Sequence, residues 1–328
     1  MNFKKLLIIL LISKNIFSFT LVKNIRKNNI IMCSKENKIP YKSNKVTAYL
    51  KLIRYENILP TMILSFSGNF ISSQNKFIFL NNIPSTIVTI LIMSYSMIIN
   101  DVFDINIDKI NNPKRPLVTG EISLYEALSL MVIILKLIDN ISFYYLPINL
   151  QNILKIVIIT LSLYTPFFKK IPLVKNLVCS FIISFTLFFS GLSTNNVITN
   201  KPILFIASVY VFLGALVNEL LLDIIDHTGD LQNNIQTIPV IFGKYNSLKL
   251  SANILRFNIL STSTLLMTIY GFYKAIPIFL FTIGYYFRMN SLIKGKYIDN
   301  EILINFVKDS NIPFILSLFY FCFLSKIY

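Results

Sequence analysis

Long apolar segments separated by short polar loops recur along the chain from about residue 58. Nine of them are long enough, or nearly so, to cross a bilayer as a helix, which takes about 20 residues. They are predicted at 58–74, 82–103, 122–140, 145–167, 176–194, 202–222, 250–271, 273–288 and 311–327. The pattern therefore predicts an all-α membrane protein with nine transmembrane helices.

The overall composition agrees with this pattern. Of the 328 residues, 54% are hydrophobic and 14% are charged, and the mean hydropathy is +0.64. These values are too apolar for an ordinary soluble protein. The three cysteines, Cys33, Cys179 and Cys322, lie far apart and lack the spacing of a metal or redox motif, so no disulfide framework is implied.

The first 45 residues differ from the rest of the chain. They hold ten Lys/Arg and one acid, Glu36, and so supply +9 of the net charge of +16. An apolar run at 6–11 follows two lysines, and an acid-poor basic stretch comes later. This order resembles a leader that directs a protein to a plastid membrane through the secretory route; a signal anchor in the endoplasmic reticulum or another endomembrane is the alternative. We therefore divide the chain into a leader, 1–45, and a membrane domain, 46–328.

The other basic residues are unevenly distributed over the predicted loops. Threading nine helices places thirteen Lys/Arg beyond residue 57 on the side of the leader and six on the opposite side. This asymmetry is typical of membrane topology and identifies the basic side as facing the cytosol or stroma. It argues against nucleic-acid binding, which needs a basic face rather than basic loops.

Two aspartate clusters end two of the apolar segments on this basic side. Their members are Asp101, Asp104 and Asp108, and Asp223, Asp226 and Asp230. In both, the spacing i, i+3, i+7 puts three carboxylates on one helical face within about two turns. Like charges this close need a compensating cation. Oxygen ligands suit Mg²⁺, which completes its shell with substrate phosphate and water, so the clusters predict a membrane enzyme that handles a diphosphate.

Each cluster belongs to a longer motif. The first is NDVFDINIDKINNPKRPLVTG at 100–120, and the second is DIIDHTGDLQNNIQTIPVIFG at 223–243. Two further motifs are RYENILPT at 54–61 and YTPFFKKIPLVKN at 164–176. In order and spacing, these four motifs resemble the UbiA family of intramembrane prenyltransferases. The resemblance covers the chain from about residue 48 to the C-terminus.

The resemblance implies a helical bundle with a lateral opening to lipid and a Mg²⁺-dependent reaction. An isoprenyl group would pass from an isoprenyl diphosphate to a lipophilic acceptor, expected to be aromatic, in quinone, tocochromanol, chlorophyll or isoprenoid-lipid biosynthesis. The second cluster resembles the branches that prenylate small aromatic or glycerol-phosphate acceptors. The allylic carbon–oxygen bond would ionise, and metal and cationic side chains would stabilise the departing diphosphate. The expected partners are the donor, the acceptor and the lipid bilayer, with no nucleic acid.

The resemblance also implies roles for individual residues. The six aspartates would hold Mg²⁺. The residues that would bind the diphosphate are Asn57, Asn100, Arg115 and Lys169. Of these, Arg115 and Lys169 would also be catalytic, together with Tyr164, which would stand near the carbocation.

Departures from the family pattern and alternative functions qualify this interpretation. Asn218 stands where many members have arginine, and Lys175 replaces the glycine usual after the Lys-x-x-P motif; both bear on acceptor choice. The acids could be solvated helix ends, and Arg115 and Lys169 could simply follow the positive-inside rule. Two other functions stay open: a terpene cyclase, which quenches the cation intramolecularly, and a non-catalytic membrane lipid carrier.

Overall fold

The computed structural model describes residues 44–73, 79–164, 171–194, 201–233, 235–295 and 299–327. The predicted leader lies outside the described residues apart from its last two positions, and so does Lys169. Within the described ranges, every regular element is a helix. The predicted all-α architecture is confirmed for this part of the chain.

Seven helices form the first half of the membrane domain. They are α1 Lys45–Leu52, α2 Ile58–Ser72, α3 Phe79–Phe103, α4 Ile105–Asn111, α5 Pro116–Thr119, α6 Leu124–Tyr145 and α7 Ile148–Leu163. A 3-10 turn, Tyr55–Asn57, joins α1 to α2. Helix α3 packs against α6, and the fully buried Ile98, Ile138 and Leu154 belong to the apolar core of this half.

Eight helices form the second half. They are α8 Val174–Leu192, α9 Lys201–Ile225, α10 His227–Gln232, α11 Ile238–Phe242, α12 Lys244–Tyr270, α13 Ile276–Gly295, α14 Asn300–Asp309 and α15 Asn311–Ile327. Helix α9 is central, since it packs against α8, α12, α14 and α15. It contributes to two apolar cores, one around Leu204 and Phe321 and the other around Leu221 and Phe306.

The two halves repeat one order of elements. In each, a long helix (α3 or α9) ends in an aspartate cluster, and a short acidic helix follows (α4 or α10). A short helix with proline in its first turn comes next, α5 or α11. It ends at a glycine with positive φ, Gly120 at 78° or Gly243 at 83°, a conformation that other residues rarely adopt. Each aspartate of the second cluster lies 122 residues after its counterpart. The chain therefore repeats this order of local elements with the same spacing.

Helices occupy the described part of each of the nine predicted segments, but the count of nine spans is not confirmed. Among the described residues, six helical stretches are long and apolar enough to cross a membrane. They are Asn82–Phe103, Leu124–Tyr145, Val174–Leu192, Pro202–Ile225, Phe272–Gly295 and Asn300–Ile327. Helices α2 and α7 have only 15 and 16 residues, a rise of about 22–24 Å against an apolar bilayer core of about 30 Å.

Helix α12 is long enough to span but too polar to be recognised by its hydropathy. Several of its polar side chains are buried, among them Ser247, Ser251, Asn258 and Thr262. The Asn258 side-chain amide donates a hydrogen bond to the Tyr210 carbonyl at 3.1 Å. Polar groups that are bonded inside a helical bundle do not face lipid, so composition alone underestimates how deeply such a helix can be buried.

The packing of α2 on α8 gives a first testable prediction. A Cβ built on Gly68 would overlap the backbone carbonyl of Leu187, which cannot move without shifting α8. We expect Gly68→Ala to lower the free energy of unfolding by about 2–4 kcal/mol. The control is Gly284→Ala in α13, where nothing lies within 4 Å of the added Cβ and the change should stay within about 1 kcal/mol. Thermal unfolding in detergent micelles measures both, and equal stability of the two variants would contradict this close packing.

Candidate active site

The structure places each aspartate cluster across the junction of a long and a short helix. Asp101 lies in the last turn of α3, Asp104 immediately precedes α4, and Asp108 lies within α4. The second cluster has the same arrangement at the junction of α9 and α10. The amides of Asp108 and Asp230 still donate to the carbonyls four residues earlier, at 2.8 and 3.0 Å. The carboxylates therefore follow one another on neighbouring turns although the helix is interrupted.

Both clusters lie at one end of the bundle, as the charge distribution predicts. Helix α4 contacts α10. Gly229 of α10 fits directly against the side chain of Asn111, which ends α4, and an added Cβ would overlap that side chain. Because α4 carries Asp108 and α10 carries Asp230, this contact brings the two acidic helices together.

In the first cluster, Asp101 is buried and paired with two arginines. Its Oδ1 accepts hydrogen bonds from Arg54 Nη2 at 3.2 Å and from Arg115 Nη1. Arg115 Nη1 also lies 3.6 Å from Asp108 Oδ2. Arg115, one of the predicted site residues, thus lies beside two aspartates of the first cluster. Arg54 was not among the predicted site residues; its signal was its place at the start of the RYENILPT motif.

Arg54 also has an unusual backbone conformation. Its φ of 52° lies in the left-handed region, which is unfavourable for a residue with a Cβ. Such strain persists where surrounding contacts hold the residue, and here the Asp101 ion pair is one of them. The conformation therefore marks the turn before α2 as part of the site.

An open pocket of about 500 Å³ lies at these residues. Its charged lining residues are Lys51, Arg54, Lys114, Arg115, Glu56 and Asp101. Four cations against two acids give the pocket a positive balance, which favours an anionic ligand.

In the second cluster, Asp223 is buried and both of its oxygens are engaged. Lys175 Nζ lies 2.5 Å from Oδ1, and Asn176 Nδ2 donates to Oδ2 at 2.8 Å. Only 1% of the Asp223 side chain is exposed. Neither Lys175 nor Asn176 was predicted to be a site residue. The signal for Lys175 was its presence at a position where the family usually has glycine.

The aspartates fit a divalent cation in part. Among the described residues, no three His, Cys, Asp or Glu side chains converge closely enough to enclose an ion. However, Asp108 Oδ2 and Asp230 Oδ2 are buried and accept no hydrogen bond, although Arg115 Nη1 lies 3.6 Å from Asp108 Oδ2. Burial raises the pKa of each of these carboxyls to about 6. Carboxylate oxygens that are shielded from water and accept no hydrogen bond suit a hard cation such as Mg²⁺.

These two carboxyls predict a pH-dependent stabilisation by Mg²⁺. A raised pKa means that the folded state binds protons more tightly than the unfolded state, so in the absence of metal stability falls as pH rises through about 4 to 6. Mg²⁺ binds the ionised form. We therefore expect it to raise the melting temperature at pH 7.5 and to have little effect at pH 5, as measured by thermal unfolding in micelles.

The matched control is the double variant Asp108→Asn/Asp230→Asn, which should lose the Mg²⁺ shift at pH 7.5. A shift of equal size at both pH values in the wild-type protein would show that other groups bind the ion.

The remaining predicted site residues outside the two clusters are Tyr164, Asn57, Asn100 and Lys169. Tyr164 is buried at the end of α7, where its hydroxyl is within electrostatic reach of Cys179, Glu219 and Asp104. Acids of both halves, Asp104 and Glu219, thus act on this hydroxyl. Asn57 precedes α2 and Asn100 precedes Asp101 in α3; both are half-buried. Lys169 lies outside the described residues.

His227, the single histidine, begins α10 beside the second cluster. Burial and the positive charge of Lys244 lower its pKa below the ordinary value of 6.5. Its imidazole is therefore neutral at pH 7 and adds no positive charge to the site.

A second cavity, of about 190 Å³, lies among α9, α12, α13 and α15. Most of its wall is apolar, with Leu64, Ile183 and Phe314 among the lining residues. Glu219 and Asn218 give it a polar portion one turn before Asp223, and Asn218 Nδ2 donates to Ser310 Oγ at 3.1 Å. An apolar space that ends at the charged site suits an amphiphilic molecule.

A helical membrane protein whose two acidic clusters meet beside a cation-lined pocket belongs to the class of intramembrane enzymes that handle phosphorylated lipids. The sequence matches the UbiA prenyltransferase family over residues 59–299. The chain belongs to this family and is an intramembrane prenyltransferase. The resemblance seen in the four motifs is confirmed.

Two digeranylgeranylglyceryl phosphate synthases are similar to this chain. Digeranylgeranylglyceryl phosphate synthase of Sulfolobus acidocaldarius is 32% identical over 201 residues, which cover 61% of this chain and 70% of that protein. A solved structure of a digeranylgeranylglyceryl phosphate synthase is 27% identical, with a TM-score of 0.68, and covers 87% of this chain and 99% of its own.

A UbiA homolog from Archaeoglobus fulgidus, solved with GPP and Mg²⁺, shares the fold. The TM-score is 0.64 at 20% identity, and the match covers 86% of this chain and all of that one.

These relatives do not support the predicted aromatic acceptor. The relatives with stated sources are archaeal, so the predicted plastid membrane has no support from them and rests on the leader alone.

Proposed function

We propose that the protein transfers an isoprenyl group from an isoprenyl diphosphate to a prenylated glyceryl phosphate. The observation that carries the donor assignment is the contact between the short acidic helices α4 and α10, together with the ion pairs of Asp101 and Asp223 to cationic side chains. This arrangement of acids and cations suits a diphosphate held between metal and protein.

Each site residue has a specific role in this proposal. Mg²⁺ would be held by carboxylates from both clusters, with Asp108 and Asp230, whose buried oxygens suit it, as the first candidates. When bound, the ion neutralises the leaving diphosphate. Arg115 and Arg54 bind phosphate oxygens, and Lys169, Asn57 and Asn100 add the contacts implied by the family motifs. Tyr164, a buried residue at the end of α7, would stand near the allylic group as it ionises.

The acceptor assignment rests on the relatives and on the shape of the site. Their name describes a glyceryl phosphate with two geranylgeranyl groups, so the acceptor would carry one. In such a reaction the allylic carbon–oxygen bond to diphosphate breaks, a new ether bond forms to the acceptor hydroxyl, and that hydroxyl loses its proton. In the pocket of about 500 Å³, Lys51 and Lys114 are the cations that the proposed donor contacts leave for the phosphate of the acceptor.

The test is an assay of the full-length protein in membranes with Mg²⁺, radiolabelled geranylgeranyl diphosphate and two acceptors, one a prenylated glyceryl phosphate and one a hydroxylated aromatic. A labelled diprenyl glyceryl phosphate that requires Mg²⁺ supports the proposal. Label in the aromatic alone would keep the reaction and overturn the acceptor. A cyclised hydrocarbon formed without acceptor would indicate a terpene cyclase, and binding of donor without diphosphate release would indicate a carrier.

A further inference from the structure

Lys175 is a cationic residue in direct contact with the second cluster. Its Nζ lies 2.5 Å from Asp223 Oδ1, and Asn176 Nδ2 donates to the other oxygen of the same carboxylate. The Lys175 side chain is partly exposed, at 24%. Lys175 is therefore anchored at Asp223 while part of its side chain stays accessible.

The repeat of the two halves gives Lys175 a counterpart in Arg54. Both residues lie at the start of the helix that precedes the cluster helix: Arg54 before α2, and Lys175 in the first turn of α8. Both pair with the first aspartate of a cluster, 47 residues later for Arg54 and 48 residues later for Lys175. The structure thus repeats the contact of a cation with the first aspartate, and Lys175 supplies it in the second half.

Lys175 is surrounded by acids of the second half. Glu219 and Asp223 both act on its ammonium, and the ammonium in turn acts on Asp230. Arg54, a cation of the first half, also acts on Glu219. The charge of Lys175 is therefore felt by three acids at or beside the second cluster.

We propose that Lys175 is a phosphate-binding residue of this chain, anchored by Asp223 and Asn176, and that Asp223 serves this ammonium rather than a metal ion. The proposal rests on the proposed function for the identity of the ligand as an isoprenyl diphosphate. Lysine acts as a point charge toward phosphate, so one ammonium can bond to Asp223 and to a phosphate oxygen at the same time.

The test measures ligand binding without turnover. Inorganic pyrophosphate is titrated with Mg²⁺ present into the full-length protein in nanodiscs, and bound Mn²⁺ is counted separately by electron paramagnetic resonance. Lys175→Met alone would leave Asp223 as a buried, uncompensated carboxylate and could fail to fold. The main variant is therefore Lys175→Met/Asp223→Asn, which removes both charges together.

We expect the double variant to weaken pyrophosphate binding by about tenfold or more and to bind as many Mn²⁺ ions as the wild-type protein. Lys175→Arg should retain most of the affinity. The matched control is Lys326→Met, because Lys326 Nζ also bonds inside the bundle, to Ser73 at the far end of α2, about 22 Å away along that helix. This control should bind pyrophosphate normally.

Three outcomes would overturn the assignment or its basis. Unchanged pyrophosphate affinity in the double variant would leave Lys175 with a structural role only, while the prenyltransferase proposal stands. Loss of one Mn²⁺ would make Asp223 a metal ligand. If the wild-type protein binds no pyrophosphate with Mg²⁺, the proposed donor is wrong and Lys175 has no phosphate to bind.

Discussion

Replacing either Asp104 or Asp226 with alanine is expected to lower prenyl transfer by about 10³-fold or more. Each residue lies at the junction of a long and a short helix, in the middle of its cluster. Neither belongs to the apolar cores, so loss of the carboxylate should remove charge from the site and leave the bundle folded. The measurement is the initial rate of product formation in membranes at saturating Mg²⁺.

The control for these variants is Asp309→Ala. Asp309 pairs with Arg288 at 2.6 Å, but both side chains are about half exposed, and an exposed ion pair contributes little to stability. Its removal should leave the rate unchanged. Activity within about tenfold of wild type in both cluster variants would mean that the clusters are solvated helix ends and not a metal-dependent site.

Arg115→Ala is expected to lower kcat/KM for the donor diphosphate by about 10²–10³-fold. Arg115 bonds to Asp101 and approaches Asp108 within 3.6 Å, so it is the cation most closely shared by the first cluster. Arg54 still pairs with Asp101 in the variant, which prevents that buried carboxylate from being left without a partner. Steady-state kinetics with varied donor would measure the loss.

Two control variants, Arg115→Lys and Arg288→Ala, test whether the effect of Arg115→Ala is specific to that guanidinium group. Lysine keeps the charge but not the planar fork, so we expect only partial recovery with Arg115→Lys. Arg288→Ala removes an arginine from an exposed ion pair and should have no effect on the donor. If alanine at 115 changes the KM of the acceptor but not that of the donor, Arg115 belongs to the acceptor headgroup and the proposed division of the site is wrong.

The local sequence predicted where the helices lie, but not how many of them can cross the membrane. The apolar segments are all helical where they are described, because each is long, apolar and bounded by loop residues. The count of nine remains a prediction, since α2 and α7 are short and α12 is polar. Whether such helices cross the bilayer depends on what surrounds them, which hydropathy does not report.

The sequence by itself determined the helical class, the family and the residues that make up the acidic clusters. These are properties of short stretches: an apolar run sets a helix, and the i, i+3, i+7 spacing keeps three carboxylates on neighbouring turns. Arg115 lies beside the first cluster because its motif ties it to Asp108, only seven residues away.

Only the tertiary structure decided how these parts are joined. Asn111 and Gly229 are 118 residues apart, yet their contact brings α4 against α10. Asp101 is paired with Arg54, and Asp223 with Lys175, through contacts across nearly fifty residues. The physical reason is that a buried carboxylate must find its partner from whichever helix packs beside it, and helix packing is set by the whole bundle rather than by the neighbouring sequence.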